Sequence, residues 1–169
     1  MSRPTWDEAW ANLARAIAQR SRCDRAKIGS VVVDKTQRVL AVSYNGPPAA
    51  YWPANQRPES SCTEWCQRAK WGPSPNTAAS YEDCPANHSE INALLATDRT
   101  QREDGSIFVT GSLCYSCAKA VANSGLARVV VVDGATDGSD RHRVPNRSLA
   151  LLDRCGIEVV HLTPGQPIE

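Results

Sequence analysis

Two short segments hold the residues whose types and spacing could do chemistry. The first is His88-Ser89-Glu90 and the second is Cys114-Tyr115-Ser116-Cys117. Imidazole and thiolate are ligands that zinc favours. Cys114 and Cys117 are three apart, so on a helix they share a face and can grip one ion. At a helix N-terminus the backbone dipole favours the thiolate form that a metal needs. His88 supplies a third ligand. Three protein ligands leave one zinc position open for water, the pattern of a catalytic site rather than a structural one. Glu90 follows His88 by two. Inside a helix that spacing points the side chains apart, but in a first turn both can reach past the helix end toward one ion. Zinc lowers the pKa of its bound water toward neutrality. A carboxylate beside that water can take its proton and pass it on. The competing reading is a structural zinc with an unrelated surface glutamate.

The elements that must position these residues follow from periodicity and punctuation. Thr5-Trp6-Asp7-Glu8 forms a capping box, and Trp6, Trp10, Leu13 and Ile17 recur at helical spacing to about Arg20. The tryptophans there are expected to be core anchors. Ile28–Val33 and Arg38–Tyr44 read as strands joined by the turn Asp34-Lys35-Thr36-Gln37, a hairpin. His88 to about Asp98 reads as a helix with Ile91, Leu94 and Leu95 on one face. Ser106–Thr110 is a strand, and Cys114 to about Ser124 is a helix ended by Gly125. Ala127–Val132 is a buried strand, 133–144 a polar loop, Pro145 to about Arg154 a helix stopped by Gly156, and Ile157–Leu162 the last strand. This order predicts an α/β fold, a three-layer α/β/α sandwich with a central mixed five-stranded sheet. The hairpin comes first, and the later strands run parallel through helical crossovers. A single domain is expected over residues 1–169, with a long cysteine-containing insert at about 45–87.

Composition narrows the function classes. The net charge is +1 and no dense Lys/Arg block occurs, which disfavours a nucleic-acid partner and favours a small-molecule substrate. No run of about 18 apolar residues occurs, so no membrane span is expected. The first residues lack the apolar stretch of a signal peptide, so the protein is expected to be cytoplasmic. Seven cysteines without a secretion signal point to metal rather than disulfides. Outside the first set, Cys62-x3-Cys66 has metal-ligand spacing, with Cys23 and Cys84 as the remaining candidates for a closed structural site. Four thiols that bind nothing are the alternative. Cys155 is expected in the core. His142, between Arg141 and Arg143, reads as a phosphate contact or a solvated basic turn, and His161 as structural. Trp52, Trp65 and Trp71 could lid a pocket or meet a neighbouring subunit.

The pairing of H-x-E with C-x-x-C is the pattern of zinc deaminases. The resemblance reaches further. Ser21–Val31 resembles the first helix-to-strand segment of deoxycytidylate deaminases, and Ser43-Tyr44-Asn45-Gly46-Pro47-Pro48 resembles their tyrosine-asparagine-glycine loop. With Ala118-Lys119 through Gly125, the likeness covers roughly residues 5–162. It implies zinc-dependent hydrolysis of the cytosine 4-amino group of a deoxynucleotide. It further implies a homo-oligomer and a deoxynucleoside triphosphate effector. His88, Cys114 and Cys117 match the zinc ligands and Glu90 the proton shuttle. Asn45 matches a nucleoside contact, and Ser89 is a further substrate-binding candidate. Arg25, with Lys27 nearby, falls where a phosphate contact fits. A second zinc on Cys23, Cys62, Cys66 and Cys84 resembles an arrangement in some bacterial and phage members. The chain departs from the family at three places: Ser89 replaces an alanine, Leu113 replaces a proline, and Asp133–Asp137 lacks an aromatic. Three other readings compete: a deaminase of another or modified nucleoside or base, a deaminase acting on nucleic acid, and an inactive zinc-binding module.

Overall fold

Strand β1 (Gly29–Val33) is buried along its whole length, so it must lie inside a sheet covered on both faces. The computed structural model describes residues 3–52, 61–64, 66, 84–132 and 145–162. The elements are α1 (Trp6–Ala18), β1, β2 (Val39–Tyr44), α2 (Ser89–Leu95), α3 (Arg99–Arg102), β3 (Ser106–Val109), α4 (Tyr115–Ala122), β4 (Arg128–Val132), α5 (Pro145–Arg154) and β5 (Glu158–Leu162). The five strands are ordered β2-β1-β3-β4-β5. β1 is antiparallel to β2 and β3, while β3, β4 and β5 are parallel. The predicted mixed sheet, hairpin and parallel crossovers are all present. The loop 133–144 with His142, and the tryptophans Trp65 and Trp71, lie outside the described residues.

The strands bury alternate residues on opposite faces, as a period of two requires. Val32, Ile107, Val109, Val129 and Val131 face Ala93 of α2, Ala118 and Val121 of α4, and Leu152 of α5. Val31, Val33, Phe108, Val130 and Val132 face Ala11 and Ala14 of α1. The layers are therefore α1, the sheet, and the α2/α4/α5 group. No helix among the described residues is long and apolar enough to cross a membrane.

The capping box of α1 is formed, with the Thr5 hydroxyl accepting from the Glu8 amide at 3.2 Å. Its buried row differs from expectation. Ala11, Ala14 and Ala18 face the sheet, while Trp6 is 52% exposed and stacks on Trp10 at 5.1 Å. The reason is distance. A Cβ on Gly29 would lie 2.8 Å from the Ala18 amide nitrogen, so the helix backbone rides too close to β1 for large side chains. Leu95 is also corrected: α2 ends there, and the side chain is 75% exposed. The chain then turns into α3. Arg102 of α3 donates to the carbonyls of Leu94, Thr97 and Ser124, which closes the carboxyl ends of α2 and α4. Cys155 is exposed rather than core, because it follows the last turn of α5 before Gly156 reverses the chain at φ 73°.

Candidate metal centre

Strand β3 delivers the chain to the sheet's carboxyl edge, and Gly111 turns it at φ 124° into α4. Cys114 is the N-cap of α4, and its sulfur accepts from the Cys117 amide at 3.4 Å. Cys117 sits one turn in and is buried. The second helix start comes from α2, whose N-cap is His88 in extended backbone. It is tied to the hairpin by main-chain bonds between Asn87 and Gly46 at 2.9 and 3.1 Å, and by the Asn92 amide on the Tyr44 carbonyl at 3.0 Å. The sheet thus brings together two helix N-termini that are 26 residues apart in sequence.

The His88 Nδ1 lies 3.4 Å from Cys114 Sγ and 3.3 Å from Cys117 Sγ. All three ligand atoms fall within 4.8 Å of one another, the one such group among the described residues. A tetrahedral zinc with Zn–S of about 2.3 Å and Zn–N of about 2.0 Å would set N···S near about 3.5 Å. The donor set and its spacing therefore fit zinc. The Cys117 thiol, the His88 ring and the Cys117 amide hold the Cys114 thiol down at about 4. Its hydrogen bond with Cys114 pushes the Cys117 thiol up, with burial and the Glu90 carboxylate adding to the effect. Cys114 is thus the readier thiolate of the two, and a bound cation would displace protons from both.

Glu90 lies in the first turn of α2 and is 3% exposed. Burial pushes its carboxyl up, and the His88 ring and the Ser89 hydroxyl draw it back. Ser89 is fully buried, with its hydroxyl 2.7 Å from Ser30 Oγ and 3.0 Å from Glu90 Oε2. The hydroxyl faces Glu90 and the sheet. Sequence reading missed Ser30. Its signal was a hydroxyl inside an apolar strand, which must find a partner.

Asn45 fastens the segment before β1. Its Oδ1 accepts from the Ile28 amide at 2.9 Å, and its Nδ2 donates to the Ala26 carbonyl at 3.0 Å. That clamp fixes the stretch that carries half-buried Arg25 and exposed Lys27. Trp52 packs edge-on against Tyr51 at 4.4 Å. Two of the other cysteines meet, and a third touches the residue after Cys23. Cys66 Sγ lies 3.8 Å from Cys84 Sγ, and Cys62 Sγ accepts from the Asp24 amide at 3.3 Å, beside Cys23. All are free thiols. Burial pushes Cys62 up to about 12 and raises Cys84 as well.

Residues 4–133 match the family model described as the cytidine and deoxycytidylate deaminase zinc-binding region. The chain belongs to this family. It is a zinc-binding deaminase, and the His88, Cys114 and Cys117 group fits one zinc ion. Among its relatives, the deoxycytidylate deaminase of Mycobacterium phage D29 is 41% identical over 133 residues, covering 77% of this chain and 96% of the relative. The deoxycytidylate deaminase of Saccharomyces cerevisiae is 29% identical over 161 residues, 94% of this chain but 45% of that longer protein. The deaminase fold is matched by the dCMP deaminase of cyanophage S-TIM5, crystallised with dCMP and dUMP. The two superpose with a TM-score of 0.66 at 22% identity, over 96% of this chain and 100% of the other.

Proposed function

We propose that this deaminase hydrolyses the 4-amino group of a cytosine deoxynucleotide, deoxycytidylate above all, to give deoxyuridylate and ammonia. One observation carries the reading: two helix starts converge three zinc-type ligand atoms within 4.8 Å, with a buried carboxylate in the first turn beside them. The relatives named as deoxycytidylate deaminases support the choice of substrate. His88, Cys114 and Cys117 would hold the metal. Zinc bound there supplies Lewis acidity, which brings a water in its open position toward neutral pKa. Glu90 takes a proton from the attacking water and returns it to the nitrogen that leaves. Burial raises its pKa, as suits a carboxyl that must both accept and donate a proton. Asn45 holds the loop at the nucleoside end, and Arg25 with Lys27 supplies charge for the 5′-phosphate.

The same reading gives Cys23, Cys62, Cys66 and Cys84 a second, structural zinc. Its support is the approach of Cys66 to Cys84 at 3.8 Å and of Cys62 to the Asp24 amide next to Cys23, all as free thiols. A closed four-sulfur site would clasp the 45–87 insert to the segment before β1. The reading further takes residues 1–169 as one domain, acting as a homo-oligomer with a deoxynucleoside triphosphate effector. Sedimentation of the protein with and without added triphosphate checks that part. The central test is ammonia release from a panel of cytosine and purine bases, nucleosides and nucleotides. Deoxycytidylate should be the best substrate. Preference for a purine, or no release from any cytosine nucleotide, would falsify the reading.

A further inference from the structure

Ser30 stands in β1, between β2 and β3, with no exposure, among valines. A hydroxyl in that position needs a partner. Its oxygen lies 2.7 Å from the Ser89 hydroxyl, which is also fully buried. A hydroxyl has one hydrogen to give. Ser89 gives its hydrogen to Glu90 Oε2 at 3.0 Å. Ser30 must therefore be the donor to Ser89, and the chain of hydrogen bonds runs from the sheet to the carboxylate. The hairpin grips Ser89 a second time. Ser43, the register partner of Ser30 on β2, donates to the Ser89 carbonyl at 2.6 Å. One cross-strand serine pair thus holds both the side chain and the backbone of the residue before Glu90.

A glutamate side chain has three torsions to set, and proton transfer needs its oxygen within hydrogen-bond reach of the reacting group. Hydrogen bonds from behind are how proteins lock such a group in its productive orientation. We propose that Ser89 is the positioning residue of the proton shuttle: Ser30 orients it, it pins Oε2 of Glu90, and Oε1 is left to carry the proton. The proposal rests on the deaminase reading for what Glu90 does, and on these contacts for how Glu90 is held. A purely structural serine pair would be satisfied by the Ser30–Ser89 contact and by Ser43. The third bond, to Oε2, is what ties the pair to chemistry.

The test compares Ser89→Ala, Ser30→Ala, Glu90→Gln and their combinations, with zinc content measured for each. Ser89→Ala should lower kcat about tenfold, the scale of one charge-assisted hydrogen bond, with KM within about twofold and zinc unchanged. Ser30→Ala should cost less, about two- to threefold, because Ser89 can still donate to Glu90. Adding Ser89→Ala to Glu90→Gln should bring no further loss, since both act through one group. A full, additive loss in the Glu90→Gln background overturns the proposal, as does an unchanged kcat in Ser89→Ala. A crystal structure of Ser89→Ala gives a readout independent of turnover. The Glu90 carboxylate should leave its wild-type position there, and a carboxylate that stays in place overturns the proposal. If wild-type protein deaminates no cytosine nucleotide, the functional reading falls, while the crystal structure still decides whether Ser89 holds Glu90.

Discussion

The molecule carries two sulfur clusters, and they differ in what holds them. His88, Cys114 and Cys117 project from the first turns of α2 and α4, which pack on the sheet through Ala93, Ala118 and Val121. Their ligand atoms already lie within 4.8 Å of one another. Cys23, Cys62, Cys66 and Cys84 come from connecting segments. Cys66 lies 3.8 Å from Cys84, and Cys62 accepts from the Asp24 amide at 3.3 Å. Helices docked on a core pre-form a site before any ion arrives. Loop ligands rely on the ion itself to complete their geometry, so their metal is also their fold. A pre-formed site of three ligands with a carboxylate beside it suits turnover, and a set of loop thiols suits a clasp.

Four experiments would break or sharpen this contrast. The largest effect belongs to the first cluster. Glu90→Gln should keep the bound zinc and the fold yet lower turnover by about 10²–10⁴-fold, the usual contribution of a proton-transfer residue. Steady-state kinetics with metal analysis reads both, and near-normal turnover would end the mechanism.

The second cluster should respond in the opposite way. Fully metallated wild-type protein should hold two zinc ions, and Cys62→Ser combined with Cys66→Ser should hold one, with a lower melting temperature and the first zinc retained. A single zinc in the wild-type protein, or a disulfide among the four thiols, would reduce the cluster to ordinary cysteines.

Arg25 lies in the segment that Asn45 clamps at Ala26 and Cys62 touches at Asp24. Deoxycytidylate should exceed deoxycytidine in kcat/KM by roughly 10- to 100-fold, the worth of a charge-assisted bond to phosphate. Arg25→Ala should remove most of that margin. Equal efficiency on the two substrates in wild-type protein would reject the phosphate contact and favour a nucleoside substrate.

Cys155 is the control with the smallest effect. It belongs to neither cluster and is exposed, so Cys155→Ser should change stability by less than about 0.5 kcal/mol and leave both zinc ions in place. A loss of zinc in that variant would mean that the sulfurs have been sorted wrongly.

Much of the architecture was legible because it depends on neighbours in sequence. The Thr5–Glu8 box, the Asp34–Gln37 turn and the helix stops at Gly125 and Gly156 are local chemistry, and each lies where its residues imply. The runs of β-branched residues located the strands within one or two positions. The metal ligands were legible for the same reason: H-x-E and C-x-x-C each place their members within a single helical turn. The short helix α3 was missed because Asp98 to Gly105 shows no long apolar period. Its anchor, Arg102, is held by carbonyls contributed from other helices.

The sequence by itself determined the ligand types, the helix starts that present them and the order of strands and helices, because spacing along one chain sets which residues share a turn or a face. It could not say which face of α1 is buried. The alanine row lies innermost because the Gly29 backbone lies against that helix, so Trp10 packs only at the edge of the core and Trp6 outside it. It could not tell that Leu95 and Cys155 point outward, since that depends on where a helix ends relative to its neighbours. Nor could it join Ser30, Ser43 and Ser89. Their meeting needs the β1–β2 register and the docking of α2 on that hairpin, and contacts over 46 and 59 residues exist only once the sheet is packed.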